Sequence, residues 1–112
     1  MSPHVTTHVL DAVLGAPAVG LAVGLSARVG DGLRPIAAGV TDHDGRCSTL
    51  GPDRLEEGVY RLVFGTGPYF AERGTESFYP EITVDFLVRA GRSHYHVPIL
   101  LSPFAYSTYR GS

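Results

Sequence analysis

An all-β sandwich of two sheets is the fold class that this 112-residue sequence predicts. Three observations carry the prediction. Apolar residues recur with period two in short runs, as they do when alternate side chains of a strand face a core. Gly, Pro and Asp punctuate the runs at short intervals, leaving seven or eight short strands. Helical periodicity is confined to one brief stretch.

Residues 5–10 read as a first strand, with Gly15-Ala16-Pro17 beyond it as a turn. Leu21, Val23, Leu25 and Ala27 then point one way, and Ala22, Gly24, Ser26 and Arg28 the other, which is a half-buried strand. Gly30-Asp31-Gly32 ends it. A short strand over 36–41 leads into Asp42-His43-Asp44-Gly45-Arg46, a turn signal in which Gly45 adopts a positive φ without steric cost. Period two returns over 59–64 and in Ile82, Val84, Phe86 and Val88. Two final strands, 94–101 and 104–109, are joined across Ser102-Pro103. The helical stretch is 69–73, opened by Gly67-Pro68 and closed by Gly74, the usual asymmetry of Pro near a helix start and Gly past its end. Tyr69, Phe70, Phe78 and Tyr79 are expected in the core, because aromatic rings dominate burial. No repeat, linker or low-complexity tract divides the chain, so residues 1–112 are expected to form one domain.

Composition excludes several function classes. Hydrophobic residues make up 44% and charged ones 18%, enough apolar surface to order the chain without disulfides. Net charge is −2 and the basic residues are scattered, so no nucleic-acid footprint is present. The apolar run 14–25 falls short of the ~20 residues a spanning helix needs and contains Pro17 and three glycines, so no membrane partner is expected. No Lys or Arg precedes that run to make the basic start of an export signal. Cys47 is the one cysteine and stands beside a turn, where an inert thiol is expected rather than a nucleophile. A soluble, cytoplasmic protein is the expectation.

The titratable residues narrow the chemistry without selecting it. Five histidines are present: His4, His8, His43, His94 and His96. His94 and His96 are two apart in a strand and share a face, while Tyr95, Val97, Ile99 and Leu101 take the apolar one. The imidazoles therefore face solvent or a cleft. His4 and His43 are expected at the surface. His-x-His with a third His could bind zinc and leave a water position open, but neither a His-Glu-x-x-His motif nor a cysteine pair supports it. Acyl-transfer chemistry needs a base near neutral pKa and a donor for the oxyanion, roles that His and Arg fill. All nine basic residues are Arg, so abundance selects none.

Selection comes from a resemblance. Thr6-Thr7-His8-Val9-Leu10-Asp11, then Gly15 and Pro17-Ala18, resemble the amino-terminal signature of the transthyretin-like 5-hydroxyisourate hydrolases. So do Thr41, Asp44-Gly45-Arg46, Gly58-x-Tyr60, Tyr69-Phe70, Phe78-Tyr79-Pro80 and His94-Tyr95-His96-Val97-Pro98. The chain finishes Leu100-Leu101-Ser102-Pro103-Phe104-Ala105-Tyr106-Ser107-Thr108-Tyr109-Arg110-Gly111-Ser112, and the closing Tyr-Arg-Gly-Ser separates the hydrolases from the hormone-carrying transthyretins of the same fold. The resemblance implies a transthyretin-like two-sheet β-sandwich of about eight strands with one short helix. It implies hydrolysis of 5-hydroxyisourate to 2-oxo-4-hydroxy-4-carboxy-5-ureidoimidazoline in urate degradation, with no metal and no cofactor. It implies a homotetramer, a dimer of dimers, whose sites lie at the dimer–dimer interface. Carried onto this sequence, the catalytic residues are His8, Arg46, His96 and Ser112, and the substrate-binding residues Tyr109, Arg110 and Gly111. Ser112 is expected to hydrogen-bond substrate or a histidine rather than act as a nucleophile, since chain ends are mobile unless docked. His94 is left open. Pro98 lacks an N–H and suits an edge or a break in backbone pairing. A non-catalytic small-ligand carrier is the alternative function.

Overall fold

The computed structural model describes residues 3–112. It has two sheets and a seven-residue helix. The first sheet is built on β1 (Val5–Asp11), with β8 (Tyr95–Leu101) on one side and β9 (Tyr106–Thr108) beyond it. The other side of β1 is shared by two short strands, β2 (Ala16–Pro17) and β5 (Arg46–Cys47). The second sheet runs β4-β3-β6-β7, formed by Gly32–Val40, Ala22–Val29, Gly58–Phe64 and Ile82–Val88. All pairings are antiparallel except β1 with β8. That parallel pair matters most for the site, because it sets the start of the chain beside a segment about ninety residues later.

The core follows the alternation. Val23, Leu25, Ala27, Leu62 and Phe64 of one sheet pack toward Val5, Val9, Val97, Ile99 and Leu101 of the other, all buried. Burying each such side chain stabilises by roughly 1.5–3 kcal/mol before entropy is set against it. Thr7 and Asp11 are two of the buried polar groups, and both are bonded. The Thr7 hydroxyl donates to the Val97 carbonyl at 2.6 Å. The Asp11 carboxylate accepts from Tyr69 Oη at 2.7 Å and from the backbone N–H groups of Val13 and Leu14.

Several elements differ from their sequence expectations, each for a local reason. β4 starts at Gly32 rather than Ile36, because Gly30-Asp31 closes a tight hairpin and pairing resumes at once. Pro35 lies within β4, which tolerates its missing N–H as an edge strand, and the register shifts beside its partner Ser26. The helix, α1 (Thr66–Glu72), begins three residues before Tyr69, since Pro68 falls within its first turn, where a missing N–H costs nothing. β8 starts at Tyr95, leaving His94 just outside, and the turn closed by Ser102 N–H on the Ala105 carbonyl delays β9 to Tyr106. Pro98 lies inside the first sheet, not on its edge. The β9 ladder stops at the Ile99–Thr108 pair, so Pro98 occupies the break, and its carbonyl accepts from the Thr108 hydroxyl at 2.7 Å.

Burial also corrects single residues. Tyr69 and Phe70 are core residues, but Phe78 is 70% exposed, held edge-on against Tyr79. Val84 and Phe86 are only partly covered, because they border an open groove between the sheets. His4, expected at the surface, is buried. Its Nδ1 accepts from Leu55 N–H at 2.7 Å, and its Nε2–H donates to the Arg92 carbonyl at 2.8 Å. It therefore ties two loops to the start of β1.

Candidate active site

The outward face of the first sheet carries the candidate residues His8, Arg46 and His96. In β1 the residues alternate, so Thr6 and His8 point away from the core that Val5, Thr7 and Val9 fill. Strand register then decides what they meet. His8 lies opposite Arg46 on β5 and opposite Pro98 on β8. Thr6 lies opposite His96, which in turn bridges to Gly111. Three distant stretches of sequence thus place His8, Arg46 and His96 on neighbouring positions of one face.

Arg46 is held by the turn before it. Asp42 Oδ1 accepts from the backbone N–H of Asp44 at 2.9 Å and of Arg46 at 3.0 Å, and Gly45 N–H donates to the Asp42 carbonyl. The bond from Arg46 N–H is the main reason that the Asp42 carboxyl is held below its usual value. Gly45 has φ 76° and lies against β1, where an added Cβ would come within 2.4 Å of the Val9 carbonyl oxygen. A larger residue would push the turn, and Arg46 with it, away from His8. The Asp44 carbonyl of the same turn accepts from His8 Nε2–H at 2.9 Å, which leaves Nδ1 of the neutral ring as its acceptor.

His96 is gripped from two sides. Its Nδ1 lies 2.9 Å from Thr6 Oγ1, and the same hydroxyl lies 3.0 Å from His94 Nε2. Gly111 N–H donates to the His96 carbonyl at 2.8 Å, which brings the terminal backbone against the imidazole. Among the described residues nothing bonds His96 Nε2. Burial holds the His96 pKa below its ordinary value, and the positive charge of Arg46, then of His94 and His8, acts in the same direction. A ring so placed keeps its neutral, proton-accepting form to lower pH than a free imidazole does.

The closing tetrapeptide is divided. Gly111 is buried against His96, while Tyr109, Arg110 and Ser112 are exposed. Tyr109 and Arg110 line the groove between the sheets, about 610 Å³, together with Val84, Phe86 and Val97. Arg110 thus borders a different cavity from the imidazole face. Cys47 is buried with its Sγ 3.7 Å from Thr49 Oγ1. Among the described residues the one compact group of metal-ligating side chains is Asp42, His43 and Asp44, an exposed set that omits His8, His94 and His96. No helix among them is long and apolar enough to cross a membrane.

Sequence reasoning missed Thr6 and Asp42. Thr6 was legible by parity, being two residues before His8 in the same strand. Asp42 was legible by spacing, since an Asp side chain commonly bonds the backbone two residues on.

A model of the HIUase/Transthyretin family matches residues 5–111. The 5-hydroxyisourate hydrolase of Mus musculus is 44% identical over 114 residues, covering 99% of this chain and 97% of its own. The solved structure of Klebsiella pneumoniae 5-hydroxyisourate hydrolase superposes with a TM-score of 0.85 at 39% identity, covering 96% of this chain and 98% of that one. Sea bream transthyretin in complex with thyroxine superposes with a TM-score of 0.90 at 35% identity, covering 96% and 94%.

Proposed function

We propose, from the premise that the chain belongs to the HIUase/Transthyretin family, that it is a hydrolase opening the ring of 5-hydroxyisourate with water. The product of this reading is 2-oxo-4-hydroxy-4-carboxy-5-ureidoimidazoline, and the process is urate degradation. The observation that carries it is the register bringing His8, Arg46 and His96 together on one sheet face. A water positioned by His8 and deprotonated at His96 Nε2 adds to the ring carbonyl. Arg46 binds the substrate and stabilises the oxyanion, the ring C–N bond breaks, and the proton ends on the leaving nitrogen. A positioned base is worth about 10²–10⁴-fold and one well-placed donor about 10²–10³-fold. No metal or cofactor enters this scheme.

In the same reading the active form is a cytoplasmic homotetramer whose sites form where two dimers meet. Gly111 backs His96, while Tyr109, Arg110 and Ser112 contribute substrate contacts once that seam encloses them. A non-catalytic carrier is the competing reading, since the fold is equally that of the sea bream protein. It would need an apolar lining at the face that here holds two imidazoles and a guanidinium.

The test is to generate 5-hydroxyisourate with urate oxidase and follow its ultraviolet decay with and without the protein. Acceleration that His96→Ala and Arg46→Ala abolish without loss of assembly is the expected result. Decay at the spontaneous rate would refute the hydrolase and favour the carrier.

A further inference from the structure

One hydroxyl stands between two imidazoles. Thr6 Oγ1 lies 3.0 Å from His94 Nε2 and 2.9 Å from His96 Nδ1. A threonine hydroxyl has a single proton to donate. It can therefore donate to one of these nitrogens only, and must accept an N–H from the other for both bonds to exist. The tautomers of His94 and His96 are thus linked through Thr6.

From this geometry we infer that Thr6 is a positioning residue that makes His94 and His96 one proton-holding pair, with His94 the terminal acceptor. The inference rests on the hydrolase reading for the reaction that the pair serves, but not for the pair itself.

The resting arrangement follows from what the base must do. To take a proton at Nε2, neutral His96 must carry its own proton on Nδ1 and donate it to Thr6. Thr6 then donates to His94 Nε2, and neutral His94 carries its proton on Nδ1. When His96 Nε2 takes a proton from water, three bonds exchange in order. His96 Nδ1–H passes its proton to Thr6 Oγ1, and the Thr6 proton moves to His94 Nε2. His96 is left neutral with its proton on Nε2, and His94 is an imidazolium. Running the exchange backwards allows His96 Nε2–H to protonate the leaving nitrogen, which restores the starting state with no proton gained or lost.

The surroundings favour moving the charge outward. Arg46 on β5 and His8 on β1 both act on His96 and oppose a second positive charge there. Displacing that charge to His94, just before β8, takes it away from the position paired beside His8 and Arg46. Arg92 also reaches His94, its Nε–H donating to the His94 carbonyl at 3.2 Å. That bond fixes the backbone entering β8. Strand geometry supplies the rest, because Thr6 and His96 are register partners in the parallel pair.

The experiment uses protein labelled with ¹⁵N in its histidine rings, so that each nitrogen reports its proton, alongside the decay assay. In the wild type without substrate, His94 and His96 are expected to titrate as a coupled pair. Thr6→Val should leave only the through-space repulsion between the two imidazoles, so that the coupling weakens measurably, and should lower kcat by about 10²-fold and alter the acid limb of the pH–rate profile. Thr6→Ser keeps the hydroxyl and should restore both coupling and most of kcat, which separates loss of the proton path from a folding defect. His94→Gln should cost a similar factor, and adding it to Thr6→Val should cost little more, because residues that act as a unit are not additive. Independent titration in the wild type overturns the pair whatever the activity. So does Thr6→Ser as impaired as Thr6→Val, or a double variant showing the product of the two single losses. Coupled titration in a protein that does not hydrolyse 5-hydroxyisourate would refute the hydrolase reading and leave the linked pair standing.

Discussion

Replacing Gly111 with Ala adds one methyl group directly against the imidazole that the proposed mechanism uses as its base. A Cβ built there falls 2.6 Å from His96 Cδ2, 3.2 Å from Cγ and 3.3 Å from Cβ. Carbon atoms in contact sit about 3.5–4.0 Å apart, so ring and backbone must separate by roughly 1 Å. Neither can yield freely. The His96 ring is tied through Nδ1 to Thr6 at 2.9 Å, and a shift of that size takes the contact beyond hydrogen-bond range. The terminal backbone is tied by Gly111 N–H to the His96 carbonyl at 2.8 Å. Whichever side gives way, the base is displaced or loses its backing, and a misplacement of ~1 Å commonly costs about 10²-fold in rate. Backbone strain adds nothing, since Gly111 is not one of the glycines with positive φ. The assay is kcat/KM for 5-hydroxyisourate decay, with Gly24→Ala as control, where the added Cβ meets only the Ala37 carbonyl oxygen at 4.0 Å. A Gly111→Ala enzyme within about threefold of wild type, under ~1 kcal/mol of transition-state stabilisation, would refute the claim that this contact positions His96.

Other outcomes follow from the same geometry. Arg46→Gln removes a positive neighbour of His96, so its pKa should rise and the acid limb of log kcat/KM should move to higher pH, besides the loss in rate; a limb moving to lower pH would contradict the assignment. Since folding depresses the His96 pKa below 6.5, the unfolded chain binds more protons in that window; this contribution to stability is complete above about pH 6.5 and lost as pH falls through the folded pKa, which urea titrations at several pH values would register. Tyr69→Phe deletes the buried donor to Asp11, whose carboxylate keeps the Val13 and Leu14 N–H groups, and should cost ~1–3 kcal/mol, seen as a lowered Tm with kcat little changed. The phenol itself, pushed up to about 12 by burial and by Asp11, should stay un-ionised in alkaline spectrophotometric titration well past its ordinary value of 10.0. Dialysis against a chelator should leave the rate unchanged, and a loss restored by zinc would reopen metal-assisted hydrolysis.

The amino-acid sequence determined the sandwich, because a side-chain period of two with one apolar face has few ways to be buried other than against a second sheet. It also determined which faces turn inward. Tyr95, Val97, Ile99 and Leu101 are buried as their alternation requires, and His96 is thereby turned out. The motifs that resemble the hydrolases supplied the names of the site residues, though not their meeting. Only the tertiary structure decided that, through the parallel pairing of β1 with β8 and the docking of the short β5 on β1. Register between strands ninety residues apart depends on long-range packing, so no local pattern states that Thr6 lies opposite His96 rather than opposite Tyr95 or Val97. For the same reason His4 was expected at the surface. Its burial depends on two remote loops, which supply a donor to one ring nitrogen and an acceptor to the other. A lone imidazole in sequence has no means of announcing such partners.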